Sequence, residues 1–513
     1  GQLATRWGRA LQPPGPRSGP HSEHPRPLLR RSGAFGAWQS LNGSWRYAVA
    51  PVLGARGGGF PEPAEALHSG EICVPFCAES LLSGVRRFVG ATNYLWYQRA
   101  LEVPPASPGG RWLLHFGAVD WEAVVYVNGL RCGAHRGGYA PFSLDITDAL
   151  GAQGAATLAV RVWDPTNAGS QPCGKQASLP SGIWYTPTTG IWQSVWLERA
   201  PAVRVASVEC TARPREGTVE VRVGLAASGS LRAGARCRAA ARADGRSVAE
   251  SSAPVPTSGG AGISVRLRLP LSSPRLWSPD SPFLYDLEVQ LFTADGLELD
   301  SVESYFAVRE VAVERDGQDV PRITLNGQPI FMLGLLDQGY WPDGLLTPPS
   351  EEAMLFDLEL AKRMGMNTVR KHVKVESQRW YAACDRIGLL VWQDMPNGDR
   401  HAPWDPYGGF LGIEGQRPAA SSALFRRELR ELVVHLRPHP CVICWVLFNE
   451  GWGQAETEAT AAWLGALDTT RLVNAASGGN DLASGPGQLL DWHVYPGPVP
   501  SAGQRRRLAA AGR

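Results

Sequence analysis

The segment from Cys441 to Gln454 carries the strongest chemical signal in the chain. Eight apolar residues run without a charge from Cys441 to Phe448, as in a strand that is buried on both faces. An amide and an acid, Asn449 and Glu450, follow directly. Barrel enzymes hold their catalytic groups at the carboxyl ends of parallel strands, so Glu450 is a candidate for acid–base chemistry. Taken alone, a Glu that merely ends a strand is the alternative.

Polar residues stand at the ends of the other buried strands predicted in this part of the chain. The strands are predicted at 330–335, 367–370, 389–392, 441–448, 472–474 and 489–493. The side chains expected at one mouth are Asp337, His372, Asp394, Asn449, Glu450, His493 and Tyr495. The carboxyl ends of barrel strands share one face, so these groups should converge there. Trp452 adds a flat apolar ring that suits the C–H groups of a sugar.

A Glu in the company of Asn, His and Trp predicts chemistry on a glycosidic bond. Glycoside hydrolysis uses two carboxyl groups, of which one protonates the leaving oxygen and the other attacks the sugar or activates water. An Asn beside the acid suits a hydrogen bond to the sugar 2-OH, which strengthens in the transition state. Glu450 is the candidate acid, and Asn449 is the candidate ligand of the 2-OH.

Composition limits the classes of partner. The net charge of +2 in 513 residues gives no large field, which argues against nucleic acid or an anionic membrane as the main partner. The basic clusters at 30–31 and 505–507 lie in low-complexity termini. No apolar run reaches the roughly 18 residues of a transmembrane helix. Nineteen Trp agree with a carbohydrate-handling protein, although large β-rich cores also use Trp.

Cysteine usage and acidic residues predict neither a metal nor another cofactor. The nine Cys form no disulfide framework and no zinc pattern, and Cys441 and Cys444 are expected to be core residues. No acidic cluster has the ligand spacing of a magnesium or calcium site. The chain begins at Gly1 without the apolar core of a signal peptide, so the compartment stays open. A homo-oligomer is also possible.

Element patterns divide the chain into four parts. Residues 1–35 are rich in Pro, Gly and Arg and are expected to be irregular. Residues 36–201 contain short strands and an Asn128-Gly129 hairpin turn, which predict a sandwich or jelly roll. Residues 202–320 fit an immunoglobulin-like β-sandwich. Residues 321–513 alternate strands with helices, as in a (β/α)₈ TIM barrel.

Short motifs over roughly residues 38–500 carry a resemblance to a known family. They include Leu-Asn-Gly-Ser-Trp at 41–45, Trp-Tyr-Gln-Arg at 96–99, Val-Asn-Gly at 127–129, Gly-Tyr-Ala-Pro-Phe at 138–142, Gly-Ile-Trp-Gln at 190–193, Leu-Trp-Ser-Pro at 276–279, Leu-Asn-Gly at 325–327, Met-Asn-Thr-Val-Arg at 366–370, Asp-Met-Pro at 394–396 and Phe-Asn-Glu-Gly-Trp at 448–452. Because these motifs occur in this order, the chain resembles glycoside hydrolase family 2, which includes β-galactosidases, β-glucuronidases and β-mannosidases.

The resemblance implies a fold and a reaction. The fold is multidomain β plus α/β, with a sugar-binding jelly roll, an immunoglobulin-like β-sandwich and a catalytic TIM barrel. The reaction is a retaining double displacement at a terminal β-O-glycosidic bond. Glu450 matches the family's acid/base and Asn449 its 2-OH ligand. The remaining strand-end residues, His372, Asp394, His493 and Tyr495, match substrate-facing positions.

The family's nucleophile has no counterpart in this sequence. The family places that Glu at the end of strand 7, after the stretch that resembles 491–496, and neither Asp nor Glu follows Asp491 here. We therefore expect barrel strands 1–6 only, a truncated or mis-spliced product of a longer enzyme, and no turnover by this chain alone. The alternatives are a non-catalytic carbohydrate-binding remnant and a second chain that supplies the nucleophile. A structural adhesion protein would leave the strand-end residues unexplained.

Overall fold

The N-terminal segment contains short elements where the sequence predicts irregular chain. The computed structural model describes residues 3–11, 21–52, 69–103, 109–151, 154–228, 233–256, 262–403, 413–480, 489–495, 502 and 505. Helix α1 spans Arg6–Leu11, strand β1 spans Arg30–Arg31, and a 3₁₀ turn spans Gly33–Phe35. So short a helix is marginal alone, and Trp7 packs it against Phe356 at 5.2 Å between ring centroids. Tertiary packing therefore stabilises a short helix that the local sequence does not predict.

The first sandwich is a jelly roll of two antiparallel sheets. Its elements are β2 Trp38–Ser40, β3 Gly43–Pro51, β4 Gly70–Val74, β5 Asn93–Glu102, β6 Gly110–Phe116, β7 Val119–Asp120, β8 Glu122–Val127, β9 Leu130–Arg136, β10 Phe142–Asp145, α2 Thr147–Leu150, β11 Ala155–Trp163, β12 Gly190–Ile191 and β13 Val195–Pro201. The sheet orders are β4-β3-β5-β11-β8-β9 and β10-β6-β13-β2. The hairpin at Asn128 and Gly129 has positive φ at both residues (49° and 76°), as a type I′ turn requires.

The second sandwich is immunoglobulin-like. Its strands are β14 Val203–Arg213, β15 Thr218–Ala227, β16 Arg236–Ala243, β17 Arg246–Pro254, β18 Ile263–Pro270, β19 Tyr285–Phe292 and β20 Glu298–Phe306. A three-stranded sheet, β14-β15-β18, faces a five-stranded sheet, β1-β20-β19-β16-β17. Alternate residues of β19, from Tyr285 to Leu291, are buried, and the residues between them are more exposed. This period of two places one face of the strand in the core.

A small antiparallel sheet leads into the barrel. It consists of β21 Val311–Arg315, β22 Pro321–Leu325 and β23 Gln328–Pro329. The boundary that the sequence places between residues 320 and 321 falls between β21 and β22, which are paired strands. The antiparallel sheet therefore spans the predicted domain boundary.

Among the described residues, five parallel strands form the barrel sheet in chain order. They are β24 Gly334–Asp337, β25 Thr368–Lys371, β26 Leu390–Asp394, β27 Val442–Asn449 and β28 Leu472–Ser477, and the helices are α3 Glu351–Arg363, α4 Gln378–Ile387, α5 Ala419–Leu436 and α6 Thr457–Leu467. Every residue of β27 is buried, which confirms the prediction from its apolar run. Burial also raises the pKa of the Cys441 and Cys444 thiols, as expected for core residues. None of the helices described is long and apolar enough to cross a membrane.

Two predicted barrel strands differ in the structure. The first begins at Gly334 rather than at residue 330, and Leu335 and Leu336 are 41% and 54% exposed instead of buried. Within the described residues β24 pairs with β25 alone, so the other edge of β24 has no partner strand there. The sixth, at 489–493, is not a strand. Its backbone makes one ladder-like bond, from Leu489 N–H to Val473 O at 3.2 Å, and the carboxylate of Asp491 makes its main contacts.

Buried carboxyl groups lie where the jelly roll meets the barrel. Glu79 Oε2 accepts a hydrogen bond from Thr189 N–H at 2.9 Å, and Asp164 Oδ2 accepts one from the Thr189 hydroxyl at 3.0 Å. Trp121 Nε1–H donates to Glu428 at 3.4 Å. Burial raises the pKa of both Glu79 and Glu428 to about 8. The fold therefore favours the protonated forms of these acids near neutral pH.

Glu79→Gln is expected to stabilise the protein at alkaline pH. The folded-state pKa of about 8 exceeds the ordinary value of about 4.3, so the stability that protonation supports is complete below about pH 4 and is lost as the pH rises through 8. Gln mimics the neutral acid at every pH. The free energy of unfolding of the variant, from urea titrations, should exceed that of the wild type by a few kcal/mol at about pH 8 and by much less at about pH 5.

The matched control for this prediction is Glu458→Gln, because Glu458 lies exposed on α6. This exposed variant should follow the wild-type pH dependence. Parallel pH dependences of Glu79→Gln and the wild type would contradict a protonated, buried Glu79.

Candidate active site

The end of β27 holds Asn449 and Glu450 in a tight turn at the mouth of the barrel. Glu450 has φ 49°, a left-handed conformation that strains a residue with a Cβ. Its N–H donates to Ser477 O at 2.9 Å, and Trp452 N–H donates to Asn449 O at 2.7 Å. These two bonds fix the backbone of the turn. Strain of this kind is concentrated at functional positions.

The guanidinium of Arg370 connects the ends of four strands. It makes a bidentate pair with Asp394, with both N···O distances at 2.9 Å. It also donates to Asn449 Oδ1 at 2.9 Å and to the Ser477 hydroxyl at 2.6 Å, and lies 3.1 Å from His493 Nε2. A planar fork of charge-assisted hydrogen bonds fixes direction as well as distance. Arg370 therefore sets the relative positions of the side chains around it.

Asn449 offers an unused hydrogen-bond donor. Its Oδ1 is occupied by Arg370, which turns the amide nitrogen away from the guanidinium. The residue is only 2% exposed, and its Nδ2 has no hydrogen-bond partner among the described residues. A buried amide N–H without an acceptor is unfavourable, so a ligand hydroxyl at this position would be stabilising.

Glu450 is hydrogen-bonded through one carboxylate oxygen. His493 Nδ1 lies 2.6 Å from its Oε1, and the Tyr495 hydroxyl donates to the same atom at 3.0 Å. Burial raises the pKa of Glu450. The hydrogen bonds from His493 and Tyr495 and the nearby imidazole charge lower the pKa by more than burial raises it, so the net shift is downward. These contacts therefore favour the ionised carboxylate.

His372 and Asp394 form a buried pair beside this carboxylate. His372 Nδ1 lies 2.9 Å from Asp394 Oδ2, and Val373 N–H donates to the same oxygen at 3.2 Å. Burial raises the pKa of Asp394, but Arg370 and His372 lower it by more. Burial lowers the pKa of His372. An ionised Asp394 thus orients a His372 ring that tends to be neutral.

Asp337 belongs to a neighbouring ion network. Its Oδ2 accepts a hydrogen bond from Lys371 Nζ at 2.7 Å. Lys371 also contacts Glu376 at 2.9 Å, and Lys374 contacts the same carboxylate at 2.6 Å. Two cations and two carboxylates balance here. The structure therefore brings Asn449, Glu450, His372, Asp394, His493 and Tyr495 together, and it places Asp337 beside them with its charge already paired.

Aromatic rings cover Trp452. The residue is 7% exposed, and its ring centroid lies 5.1 Å from that of Trp184, 5.9 Å from that of His401 and 5.8 Å from that of His372. Trp184 comes from the jelly-roll loop at 164–189 and is more exposed than Trp452. The apolar wall of the mouth is therefore built by two domains, with Trp452 at its base.

Three family models match successive parts of the chain. They are described as glycosyl hydrolase 2 galactose-binding domain-like, at residues 65–191; glycosyl hydrolases family 2, at residues 203–309; and glycosyl hydrolases family 2, TIM barrel domain, at residues 322–485. Together they cover most of the sequence in the order of the three domains seen in the structure. The chain belongs to glycoside hydrolase family 2.

Individual relatives of this family 2 chain are distant. A Formosa agariphila protein with a provisional β-glucuronidase name is 27% identical over 357 residues, which are 69% of this chain and 39% of that protein. The β-galactosidase of Thermoanaerobacter pseudethanolicus is 26% identical over 360 residues, 69% of this chain and 44% of the enzyme. The family 2 chain thus spans about two fifths of the length of these curated relatives.

A solved structure shows the same fold. The Bacteroides uniformis β-glucuronidase superimposes with a TM-score of 0.67 over 86% of the family 2 chain and 52% of its own, at 22% identity. At this identity the likeness establishes the architecture alone. It agrees with the jelly roll, immunoglobulin-like sandwich and barrel described above.

Sequence reasoning missed several residues of the family 2 site. Arg370 lies inside a matched motif, but its part in joining four strands did not emerge from the motif. Lys175 and Trp184 lie in the loop at 164–189, and loops this long in a compact domain are often functional, which is the signal that could have found them. In the described part of the chain, no group of three or more His, Cys, Asp or Glu side chains is arranged to hold a metal ion.

Proposed function

We propose that this chain carries the acid/base part of a retaining glycoside hydrolase that acts on terminal β-O-glycosides. The observation that carries the proposal is the pairing at the end of β27. Glu450 occupies a strained turn at the barrel mouth, next to the buried amide N–H of Asn449, which has no partner within the described residues. The β-galactosidase and β-glucuronidase names of the relatives support this reaction class.

In the first step Glu450 donates its proton to the glycosidic oxygen while the bond from that oxygen to C1 breaks and a carboxylate attacks C1. In the second step Glu450 takes a proton from water, whose oxygen displaces that carboxylate from C1. We assign no residue of this chain to the attacking carboxylate. Burial favours the protonated Glu450 that the first step needs, whereas the hydrogen bonds from His493 and Tyr495 favour the ionised Glu450 that accepts the proton from water.

Asn449 and its neighbours position the sugar in this proposal. The Asn449 Nδ2–H donates to the oxygen of the 2-OH, and Arg370 holds the amide in that orientation through Oδ1. His372 and Trp452 lie beside the same mouth, where an imidazole and an aromatic face suit hydroxyl and C–H groups. The site therefore combines one proton-transfer group with several fixed sugar contacts.

Calorimetric binding of methyl β-galactoside, methyl β-glucuronide and methyl β-mannoside tests the proposal without requiring turnover. The wild-type chain should bind at least one of them. Asn449→Ala should weaken that binding by about tenfold, the value of a hydrogen bond of ~1.4 kcal/mol. Glu450→Gln preserves the shape of the side chain and should bind with nearly wild-type affinity. An absence of binding to all three glycosides, or no effect of Asn449→Ala, would contradict the site.

Hydrolysis of 4-nitrophenyl β-glycosides, with the anomer of the first-formed sugar read by NMR, tests the reaction itself. Release of the β-anomer supports the retaining mechanism, whereas release of the α-anomer excludes it. Because no residue of this chain is assigned to the attacking carboxylate, binding without hydrolysis agrees with the proposal as well as with a carbohydrate-binding function.

A further inference from the structure

Lys175 places a cation from the jelly roll at the mouth of the barrel. Its Nζ lies 5.4 Å from the ring centroid of Trp452 and 5.9 Å from that of Tyr185. It donates a hydrogen bond to Gln338 Oε1 at 2.9 Å. That acceptor is a neutral amide, and within the described ranges no carboxylate oxygen lies at ion-pair distance from Lys175. The ammonium is therefore solvated by polar and aromatic groups without a counter-charge in contact.

Arg370 and Lys371, two other cations at the mouth, are already neutralised by ion pairs. Arg370 pairs with Asp394, and Lys371 pairs with both Asp337 and Glu376. These ion pairs would have to break before either cation could bind an anionic ligand. Lys175 is under no such constraint, because its contacts with Gln338 and the aromatic rings leave its positive charge available.

The backbone around Lys175 is fixed against the barrel. The N–H groups of Cys173 and Gly174 donate to Asn397 O at 2.8 and 2.9 Å, and the Tyr139 hydroxyl donates to Cys173 O at 3.0 Å. Gly174 has φ 64°, and a Cβ there would stand 2.6 Å from Val373 O. Only glycine fits so close an approach. The position of Lys175 is therefore built into the interface between the two domains.

We propose that Lys175 binds the carboxylate of a uronic acid, so that the site takes anionic β-glycosides in preference to neutral ones. The inference rests on the proposed function, since it concerns the mouth that contains Glu450. A neutral sugar would leave the partly buried ammonium with only the more distant charges of Glu450 and Asp394, whereas the carboxylate on C5 of a uronide would supply a counter-charge in contact. Trp452 and Tyr185, which flank the ammonium, provide apolar faces for the ring beside that carboxylate.

Matched ligand pairs test this inference. Methyl β-glucuronide and methyl β-glucoside differ only in a carboxylate against a hydroxymethyl group, and methyl β-galacturonide and methyl β-galactoside form a second pair. We expect the whole chain to bind the preferred uronide at least about tenfold more tightly than its neutral partner in calorimetry. Lys175→Met should reduce the difference to about twofold with little change for the neutral glycoside. Lys175→Arg, which keeps the charge, should retain most of the preference.

The possible outcomes distinguish a failure of this inference from a failure of the proposed function. Equal binding of both members of each pair, or a preference that survives in Lys175→Met, overturns the role of Lys175 and leaves glycoside binding intact. An absence of binding to these four ligands overturns the inference, and it overturns the proposed function as well when methyl β-mannoside also fails to bind. Salt provides a measurement that needs no variant, because added NaCl should weaken wild-type binding of the uronide and leave the neutral glycoside unaffected. An equal effect of salt on both would also overturn the inference.

Discussion

Glu450→Gln is expected to lower kcat for glycoside hydrolysis by about 10²- to 10⁴-fold in a protein that also supplies the attacking carboxylate, the usual contribution of a general acid–base group. The amide keeps the size of the side chain but cannot donate the proton to the leaving oxygen. The loss should be smaller for 4-nitrophenyl glycosides, because nitrophenolate leaves without much help, and larger for methyl glycosides of the same sugar. Steady-state rates with these two leaving groups provide the measurement.

Tyr495→Phe is the matched control for the role of Glu450. The Tyr495 hydroxyl donates to Glu450 Oε1 at 3.0 Å, which stabilises the carboxylate and lowers its pKa. Removing this bond should raise the pKa of Glu450 and move the alkaline limb of kcat/KM to higher pH, while most of the turnover remains. An equal loss for both leaving groups in Glu450→Gln, or an unchanged kcat, would show that another residue donates the proton.

The strands that can be predicted best from the sequence are those whose apolar pattern indicates that one face or both faces are buried. The run at 441–448 is apolar at every position, and β27 is buried at every position. In β19 the apolar residues alternate with polar ones, and the structure buries the apolar set. These patterns survive folding because burial of apolar area is the dominant favourable contribution.

An apolar run does not reveal what covers it. Residues 330–335 look like a buried strand, but Phe331 is 82% exposed and the paired strand begins at Gly334. Residues 489–493 also contain an apolar start. Their position is set by hydrogen bonds that the Asp491 carboxylate accepts from the Ser477 hydroxyl and the Asn474 amide, instead of by a strand ladder. Pairing between strands depends on partners distant in sequence, which local patterns do not encode.

The same limit applies to the candidate site. Strand-end residues such as His372 and Asp394 could be predicted, because the end of a strand is visible in the sequence, and the structure joins them at 2.9 Å. The length of its loop singles out Lys175 as a candidate, but its contact with Trp452 could not be predicted, because the domain interface brings together residues 277 positions apart. The predicted roles of the strand-end residues stay predictions until the variants above are measured.

Arg370→Met is expected to lower the free energy of unfolding by about 3–5 kcal/mol, because it leaves a buried charge without its partner. Asp394 has a side chain only 1% exposed and pairs with Arg370 through both oxygens. Asn449 and Ser477 also lose a donor, so sugar binding should fall together with stability. Urea titrations followed by Trp fluorescence measure the first effect, and calorimetry with methyl β-glycosides measures the second.

Three further variants identify the cause of the Arg370 effect. Arg215→Met removes a guanidinium that is 68% exposed and pairs with Glu310 on the surface, so the free energy of unfolding should stay close to the wild-type value. Arg370→Lys keeps the charge but not the bidentate fork, and should be intermediate. Asp394→Asn should recover part of the loss when combined with Arg370→Met, because the unpaired carboxylate is then gone. Strict additivity of these two changes would mean that the ion pair is not what Arg370 contributes, and that its packing against the strand ends accounts for the loss.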